Sequence, residues 1–550
     1  MNLFTIPVPS PSSFWTTVRS GGAINVAGSF AALWALVKVL RMLRLRVKTT
    51  QLLGPPRTSL VYGVSRDIGS SHDRAAIYER WATEYGVAYM TPSVLGQTNV
   101  VLCDPKAIAH FYARETWTYV KTPLTLAFLE SSVGKGLLWA QGETHRRQRK
   151  ALTPAFSNAA IRKLTSVFYD SAYKAKGQWD TVIESSKDGD AVIEVQNWMN
   201  RISLDTVGIA GFSHDFGSLD GKRVSVAEAF DTFGSNQPSA VHKAFILLAS
   251  VFPIILKIIP NKRKNLFKKL GITMEQISNE LLIRSRREKD ANMSQGGEEN
   301  SLIGLLIKSE GQDAELHMSA EEVVAQMKVL LLAGYETTSI SLTWALIELS
   351  RHHDVQTRLR EELLAFGPDP TYDQLKAHLP YLDAVVHETL RLHPPVPESA
   401  RLAAADDVIP LSEPVRMASG NMTDSISIAK GTLITISIGA INRSAAIWGP
   451  HAKEFKPDRW LTEDGISGKA KEVQGHRHLL TFVDGPRACL GKDFAIMEFK
   501  AVLSVLVKNF VFELRDGPDT PVEIVRGILL RPRVAGEDGT GVPLRVRRYE

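Results

Sequence analysis

The feature that most constrains this chain is one cysteine near its C-terminal end. Cys489 lies in the segment 482–491, which reads FVDGPRACLG, and a run of helix-forming residues follows it. Gly485 permits a tight turn with positive φ, and Gly491 has no side chain to obstruct the helix as it approaches a flat group. A loop of this kind holds one cysteine, keeps it ionised and shields it from oxidation. It is therefore suited to present a thiolate to a metal.

The recurring residue types of this loop form the pattern F-x-x-G-x-R-x-C-x-G, which is occupied by Phe482, Gly485, Arg487, Cys489 and Gly491. The segment resembles the haem-thiolate loop of the cytochrome P450 superfamily. The resemblance implies that Cys489 is the axial ligand of haem b, iron protoporphyrin IX, because a thiolate pushes electron density onto the iron and favours O–O cleavage. It also implies that Phe482 covers the sulfur and that Arg487 pairs with a haem propionate. The alternative is a buried structural cysteine in an ordinary loop.

The composition is typical of a large globular protein. Hydrophobic residues make up 44% of the 550 residues and charged residues 23%, which suits one large domain or two. The formal net charge is +6, which favours an acidic partner and a negatively charged membrane surface. Nucleic-acid binding is not expected, since no basic face with base-stacking aromatics and no recognition motif is found. The only other cysteine, Cys103, is interpreted as a small buried hydrophobe, and no disulfide framework is predicted.

The N-terminal region predicts a retained membrane anchor. Residues 21–37 carry no charge, whereas basic residues recur through 38–48. A spanning helix needs about 20 apolar residues, and the basic excess predicts that the C-terminal side stays cytoplasmic. The alternative, a removed signal peptide, lacks its small-residue cleavage site. The expected organisation is a lumenal segment (1–20), a single-pass anchor in the endoplasmic reticulum membrane (21–45), a basic and proline-rich hinge (46–60) and a cytoplasmic catalytic domain (61–550).

A second apolar stretch runs from Ala244 to Pro260 and is interrupted by Pro253, which makes a second spanning helix unfavourable. Lysines and arginines follow it closely. The segment is interpreted as a surface element that dips into lipid headgroups, and the alternative is a buried helix pair. Two polar segments, 292–300 and 408–430, are expected to form a loop and a surface hairpin.

The best-defined helix begins at Ser319, which forms a capping box with Glu322, and continues to about Ser350. Its middle carries Gly334, whose small size allows a flat ligand to approach the backbone, next to an acid and an alcohol, Glu336 and Thr337. The position resembles the oxygen-activation motif of the superfamily. The resemblance implies that Thr337 hydrogen-bonds the dioxygen and that Glu336 relays protons from water. The alternative is a polar patch on a kinked helix.

A second helix, predicted from Tyr381 to Leu392, contains Glu388 and Arg391, which lie three residues apart on one face. The spacing resembles the E-x-x-R motif of the superfamily. The resemblance implies a structural triad with Arg459 that fixes the loop around the cysteine.

Three further residues are expected to bind the haem propionates: Arg401, Arg149 and His145. Here the chain departs from the family, which usually carries tryptophan at the position of His145. A histidine can still donate a hydrogen bond to a propionate.

Other chemistries lack their motifs. His387 and Glu388 begin like a zinc motif, but the next histidine is His393, so the H-E-x-x-H spacing fails. No phosphate-binding loop and no G-x-G-x-x-G segment appears, so electrons must come from a separate protein. The expected partner is NADPH–cytochrome P450 reductase, docked on the basic proximal face.

The resemblance implies a mainly α-helical fold with a small β-rich subdomain. The expected function is a membrane-anchored monooxygenase that inserts one oxygen atom from O2 into a hydrophobic substrate, such as a terpenoid or another secondary metabolite. Two alternatives stay open: a haem-thiolate isomerase or dehydratase, and a non-catalytic membrane haem protein. The residues expected to line the substrate pocket, by analogy of position, are Phe128, Leu129, Leu332, Ala333, Val396 and Leu529.

Overall fold

The computed structural model describes residues 23–71, 73–222, 316–526, 528–537 and 541–550, together with positions 224, 271–272, 275–283, 286–287, 304, 306 and 539. Within them the chain is mainly helical, and the expected fold class is confirmed. The helices are α1 (Ala23–Lys48), α2 (Ser65–Ser70), α3 (Arg74–Tyr85), α4 (Pro105–Ala113), α5 (Pro123–Ser132), α6 (Gly142–Leu152), α7 (Asn158–Glu184), α8 (Val195–Phe212), α9 (Ala320–Arg351), α10 (His353–Phe366), α11 (Tyr372–Ala377), α12 (Pro380–Leu392), α13 (Ile438–Arg443), α14 (Ala445–Trp448), α15 (Gly468–Lys471) and α16 (Lys492–Asn509).

The strands of the described residues form four small sheets. They are β1 (Ala88–Pro92), β2 (Thr98–Leu102), β3 (Tyr119–Val120), β4 (Asp190–Glu194), β5 (Glu398–Ala403), β6 (Asp407–Arg416), β7 (Met422–Ile428), β8 (Leu433–Ser437), β9 (Phe510–Leu514), β10 (Val522–Arg526), β11 (Leu530–Val534) and β12 (Pro543–Arg548). The largest sheet has the order β1-β2-β8-β5-β3, with β2 and β8 parallel and the other pairs antiparallel. The remaining sheets are β4-β12-β9, β6-β7 and β10-β11.

Helix α9 passes through the hydrophobic core. Its side chains belong to both buried clusters of the molecule, and it packs against α8 and α16. The predicted capping box is present: Ser319 Oγ accepts from the Glu322 N–H at 3.2 Å, and the Glu322 carboxylate accepts from the Ser319 N–H at 3.0 Å. This reciprocal pair satisfies two N–H groups at the start of the helix.

Several local expectations agree with the structure. Helix α12 begins at Pro380, one residue before its predicted start, because proline is favoured at the first helical position. Strands β6 and β7 form the expected hairpin within 408–430. Cys103 is buried after β2, and Asp104 caps α4. The apolar stretch 244–260 and the polar stretch 292–300 lie outside the described residues.

Part of the segment predicted as a hinge (46–60) contacts the catalytic domain. Helix α1 continues to Lys48, and the residues after it are tied to the catalytic domain. Thr49 Oγ1 lies 3.0 Å from Thr432 Oγ1, and the Leu53 carbonyl accepts from the Met90 N–H at 2.9 Å. Extended backbone has free N–H and C=O groups, and here the β-rich subdomain pairs with them.

Membrane anchoring by α1 stays a prediction. The helix exposes several large apolar side chains, among them Leu33, Leu36, Leu40 and Leu43. Among the described residues, α9 is the one helix that is long and apolar enough to cross a membrane, and 72% of that stretch is buried inside the protein.

Candidate active site

The loop before α16 presents Cys489 through a strained turn. The Cys489 N–H donates to the Phe482 carbonyl at 2.8 Å, which closes the loop on itself. Val483 and Gly485 have φ values of 54° and 68°, in the left-handed region. A Cβ at position 485 would lie 2.3 Å from the Tyr112 carbonyl oxygen, so both the conformation and the contact require glycine there.

The Cys489 thiol is held in a protein environment that opposes its ionisation. Burial raises the pKa of the thiol, while the Gly491 N–H and the cations Arg149 and Lys492 act in the opposite direction. Arg149 Nη1 donates to the Ala488 carbonyl at 2.7 Å, so this side chain lies against the loop itself. The sulfur is therefore a ligand that a bound metal ion would deprotonate.

Buried cations gather beside the loop. Arg487 donates to Thr116 Oγ1 at 3.0 Å and to the Ala140 carbonyl, and Arg401 contacts the buried carboxylate of Glu115. Lys121 is 7% exposed, and within the described part of the chain its Nζ has no hydrogen-bond partner.

Burial, together with neighbouring positive charge, lowers the pKa values of two of these groups. Burial, with Arg487 and Arg401 nearby, lowers the pKa of Lys121 to about 6. Burial, Arg487, Lys121 and Arg149 lower the pKa of His145 to about 3, so this imidazole is neutral at physiological pH and offers an N–H.

The middle of α9 carries the acid and the alcohol in different surroundings. Thr337 Oγ1 donates to the Ala333 carbonyl of its own helix at 2.7 Å. Glu336 is fully buried and forms an ion pair with Arg531 of β11, whose Nε lies 3.1 Å from Oε1. Glu336 therefore faces the β10–β11 hairpin.

Gly334 serves helix packing. A Cβ at this position would lie 2.5 Å from Val207 Cγ2 on α8, so glycine allows the two helices to approach each other. Ala333, by contrast, is exposed, although α9 is otherwise largely buried. Ala333, and not Gly334, is the small residue with open space beside it.

Apolar side chains join the middle of α9 to the cysteine loop. Leu332 and Tyr335 belong to one buried cluster with Leu129, and Phe128 and Leu490 pack against that cluster. The other expected pocket residues lie apart from it: Leu529 packs against the second cluster, and Val396 is 43% exposed.

Glu388, Arg391 and Arg459 meet in the core. Two nitrogens of Arg391 lie 2.8 and 2.9 Å from the Glu388 carboxylate, and Arg459 Nε lies 2.9 Å from Oε1. The Lys456 N–H and Trp460 Nε1 also donate to this carboxylate, at 2.9 and 3.0 Å. The carboxylate thus joins α12 to the segment that precedes the cysteine loop.

Sequence reasoning missed Glu115, Lys121 and Arg531. Lys121 and Glu115 flank β3 in a region without a motif, and nothing in the local pattern marks them as buried. Arg531 carried a weak signal, because a cation in an alternating strand between Leu530 and Pro532 must either face solvent or find a buried partner.

The residues present fit a haem group. The accessible thiol of Cys489, the Lys121 amino group without a hydrogen-bond partner among the described residues and the guanidinium groups of Arg401 and Arg487 are the donor set that an iron porphyrin with two carboxylates requires. Among the described residues no cluster of three or more histidine, cysteine or carboxylate side chains could hold another metal ion.

Comparison with known proteins agrees with this geometry. Residues 53–535 match the model of the family Cytochrome P450. Cytochrome P450 monooxygenase claQ of Ampulloclitocybe clavipes is 56% identical over 539 residues, covering 97% of this chain and 100% of that protein. Cytochrome P450 monooxygenase claW of the same fungus is 54% identical over 536 residues, covering 97% and 99%.

A more distant relative is also a cytochrome P450 monooxygenase. Cytochrome P450 monooxygenase 128 of Postia placenta is 34% identical over 550 residues, covering 95% of this chain and 97% of that protein. P450 monooxygenases use haem, O2, a small-molecule substrate and a redox partner. The chain therefore belongs to the cytochrome P450 family and is a haem-thiolate monooxygenase.

Proposed function

We propose that this monooxygenase is membrane-anchored and inserts one oxygen atom from O2 into a hydrophobic secondary metabolite, with Cys489 as the axial ligand of haem b. The observation that carries the proposal is the Cys489 loop, in which a left-handed turn holds one thiol beside a group of buried cations. Haem bound there supplies the iron that activates O2.

The cations have separate roles in binding this group. Arg401, Arg487 and Lys121 hold the two propionates, and neutral His145 donates a hydrogen bond to one of them. Arg149 is already bonded to the Ala488 carbonyl, so it orients the loop as well as adding positive charge near the sulfur. Phe482 shields the sulfur, and Gly491 keeps the start of α16 free of a side chain.

Thr337 and Glu336, both on α9, are the residues proposed for hydrogen bonding and proton transfer. The Thr337 hydroxyl donates a hydrogen bond to the Ala333 carbonyl, so its oxygen lone pairs would accept a hydrogen bond from a donor beside the helix. Glu336 is paired with Arg531, which stabilises its ionised form. It takes up a proton for delivery only when this ion pair opens.

The substrate and the partners follow from the surfaces. The apolar cluster around Leu129 and Leu332 suits a terpenoid or another hydrophobic metabolite. Arg477 is exposed and Lys492 is partly exposed on the side of the cysteine loop, and each also contacts a carboxylate. They contribute to the basic docking face proposed for NADPH–cytochrome P450 reductase. Helix α1 anchors the protein to the endoplasmic reticulum membrane, with the catalytic domain in the cytoplasm.

The first experiment is the absorption spectrum of the reduced, carbon-monoxide-bound protein. The wild type should show a strongly red-shifted Soret band that Cys489→Ser loses. Cys103→Ser is the matched control, because Cys103 is buried beside a β-strand and burial raises its pKa to about 12, so this variant should keep the band. A band that survives in Cys489→Ser would refute thiolate ligation by this residue.

The second experiment addresses turnover. With reductase, NADPH and a panel of terpenoids, the wild type should consume NADPH and release a product carrying one added oxygen atom. A product isomerised or dehydrated without NADPH consumption would favour the isomerase or dehydratase alternative.

A further inference from the structure

Glu115 is a buried carboxylate in the middle of the cation group. It lies in the turn between α4 and β3 and is fully buried. Its Oε1 lies 2.7 Å from Arg401 Nε, 2.5 Å from Arg401 Nη2 and 3.8 Å from Arg487 Nε. Its Oε2 accepts no hydrogen bond from the residues that the structure describes. One carboxylate oxygen therefore joins a guanidinium of β5 to a guanidinium of the cysteine loop.

The surrounding charge is unbalanced without additional anions. Glu115 contacts Arg401, lies 3.8 Å from Arg487 and acts electrostatically on Lys121, and the pKa of Arg487 is lowered to about 10, mainly by burial. Glu115 opposes the lowering of the pKa of both Lys121 and Arg487. Two haem propionates would raise the pKa of Lys121, and together with Glu115 they would match the charge of protonated Lys121, Arg401 and Arg487.

We propose that Glu115 is a positioning residue for haem, which fixes Arg401 and Arg487 for the propionates and whose negative charge lowers the reduction potential of the iron. The inference rests on the proposed haem site. Reduction adds one electron, so a fixed negative charge in a buried, low-dielectric region disfavours it. A protonated Lys121 on the same side has the opposite effect and raises the reduction potential.

The test is the midpoint potential of the full-length, haem-loaded protein, measured by dithionite titration and followed at the Soret band. Glu115→Gln keeps the size of the side chain and removes its charge, and should shift the ferric–ferrous equilibrium at least tenfold toward ferrous, about 59 mV more positive. Glu115→Asp keeps the charge and should stay near the wild-type value. Lys121→Met should shift the potential in the negative direction.

Controls separate charge from folding. Glu143→Gln removes an exposed carboxylate of α6 and should leave the potential unchanged. The reduced carbon-monoxide spectrum should stay red-shifted in every variant, so a failure of thiolate ligation in the wild type is recognised independently. Glu115→Gln/Lys121→Met restores the charge balance and should return close to the wild-type potential.

Two results would overturn the proposal. One is a Glu115→Gln protein with intact haem, an intact spectrum and an unchanged potential, which would make Glu115 a structural residue only. The other concerns a Glu115→Gln protein that does not load haem. The double variant should then restore haem loading, and its failure to do so would rule out charge balance as the role of Glu115.

Discussion

At the residue scale, Gly485 is held by two independent constraints, a φ of 68° and the Tyr112 carbonyl 2.3 Å from the position of a Cβ. Alanine in the left-handed region costs about 1–2 kcal/mol, and the overlap with backbone adds to this. Gly449→Ala isolates the first effect, because Gly449 has a φ of 83° and no atom within 4 Å. Urea unfolding should show a larger loss of stability for Gly485→Ala than for Gly449→Ala, and equal losses would contradict the contact.

The residues of the site differ in how well the local sequence predicts their place in it. The turn that presents Cys489 was predictable because glycine and cysteine stand at fixed spacing in the local sequence, and the role of Cys489 as an iron ligand stays a prediction. Glu115, Lys121 and Arg531 were not predictable, because their importance comes from partners on distant strands and helices. A buried charge is explained by its partner, and a single sequence does not record that contact.

At the element scale, the close approach of α8 and α9 depends on Gly334. Alanine raises intrinsic helix stability by roughly 1 kcal/mol, but here its Cβ would lie 2.5 Å from Val207 Cγ2, and overpacking costs about 1–3 kcal/mol. Gly334→Ala should therefore lower the thermal midpoint. Val207→Ala added to it should recover part of the loss.

The control for this packing effect is Gly177→Ala in α7. Gly177 has no atom within 4 Å of an added Cβ, so this variant should be neutral or slightly stabilising. A loss of stability in Gly177→Ala equal to that in Gly334→Ala would show that contact with α8 is not the cause, because alanine favours the helix at both positions.

The ion-pair group around Glu388 joins α12 to the segment before the cysteine loop. Glu388→Gln leaves the positive charges of Arg391 and Arg459 buried without the opposing charge of the carboxylate. Breaking such a pair costs about 3–5 kcal/mol. The exposed pair of Asp458 and Arg358 provides a control, since Asp458→Asn should cost no more than about 1 kcal/mol. Denaturant titrations of both variants measure the two losses in free energy of unfolding. Similar losses would show that the buried ion-pair group contributes no more to stability than the exposed pair.

At the scale of the whole molecule, the family resemblance predicted the mainly helical class, whereas the capped core helix and the β6–β7 hairpin were predicted from local capping and from a polar segment. The pairing of the described strands into four small sheets could not be predicted from local sequence patterns. Strand β2 pairs in parallel with β8, more than 300 residues later, and β4 pairs with β12 at the C-terminal end. Similar long-range pairing joins residues 49–53 to the β-rich subdomain.

The crossing of α8, α9 and α16 gives the whole protein a pH-dependent stability. Glu498 of α16 is fully buried, and burial raises its pKa to about 8 from an ordinary value of 4.5, with only the Ser203 and Thr338 hydroxyls acting in the opposite direction. Between these two values the folded state binds more protons than the unfolded state. Stability contributed by the protonated carboxyl is therefore present at low pH and is lost as pH rises toward 8.

Glu498→Gln removes this titration. The free energy of unfolding of the wild type relative to this variant should fall between pH 5 and pH 8, with a slope of at most about 1.4 kcal/mol per pH unit. Urea titrations of the full chain at several pH values measure that difference. The exposed Glu143→Gln should run parallel to the wild type. If Glu498→Gln also runs parallel, the carboxyl is ionised in the folded protein and must be paired by a cation or by water that reaches the three-helix crossing, which would make this crossing a solvated part of the core.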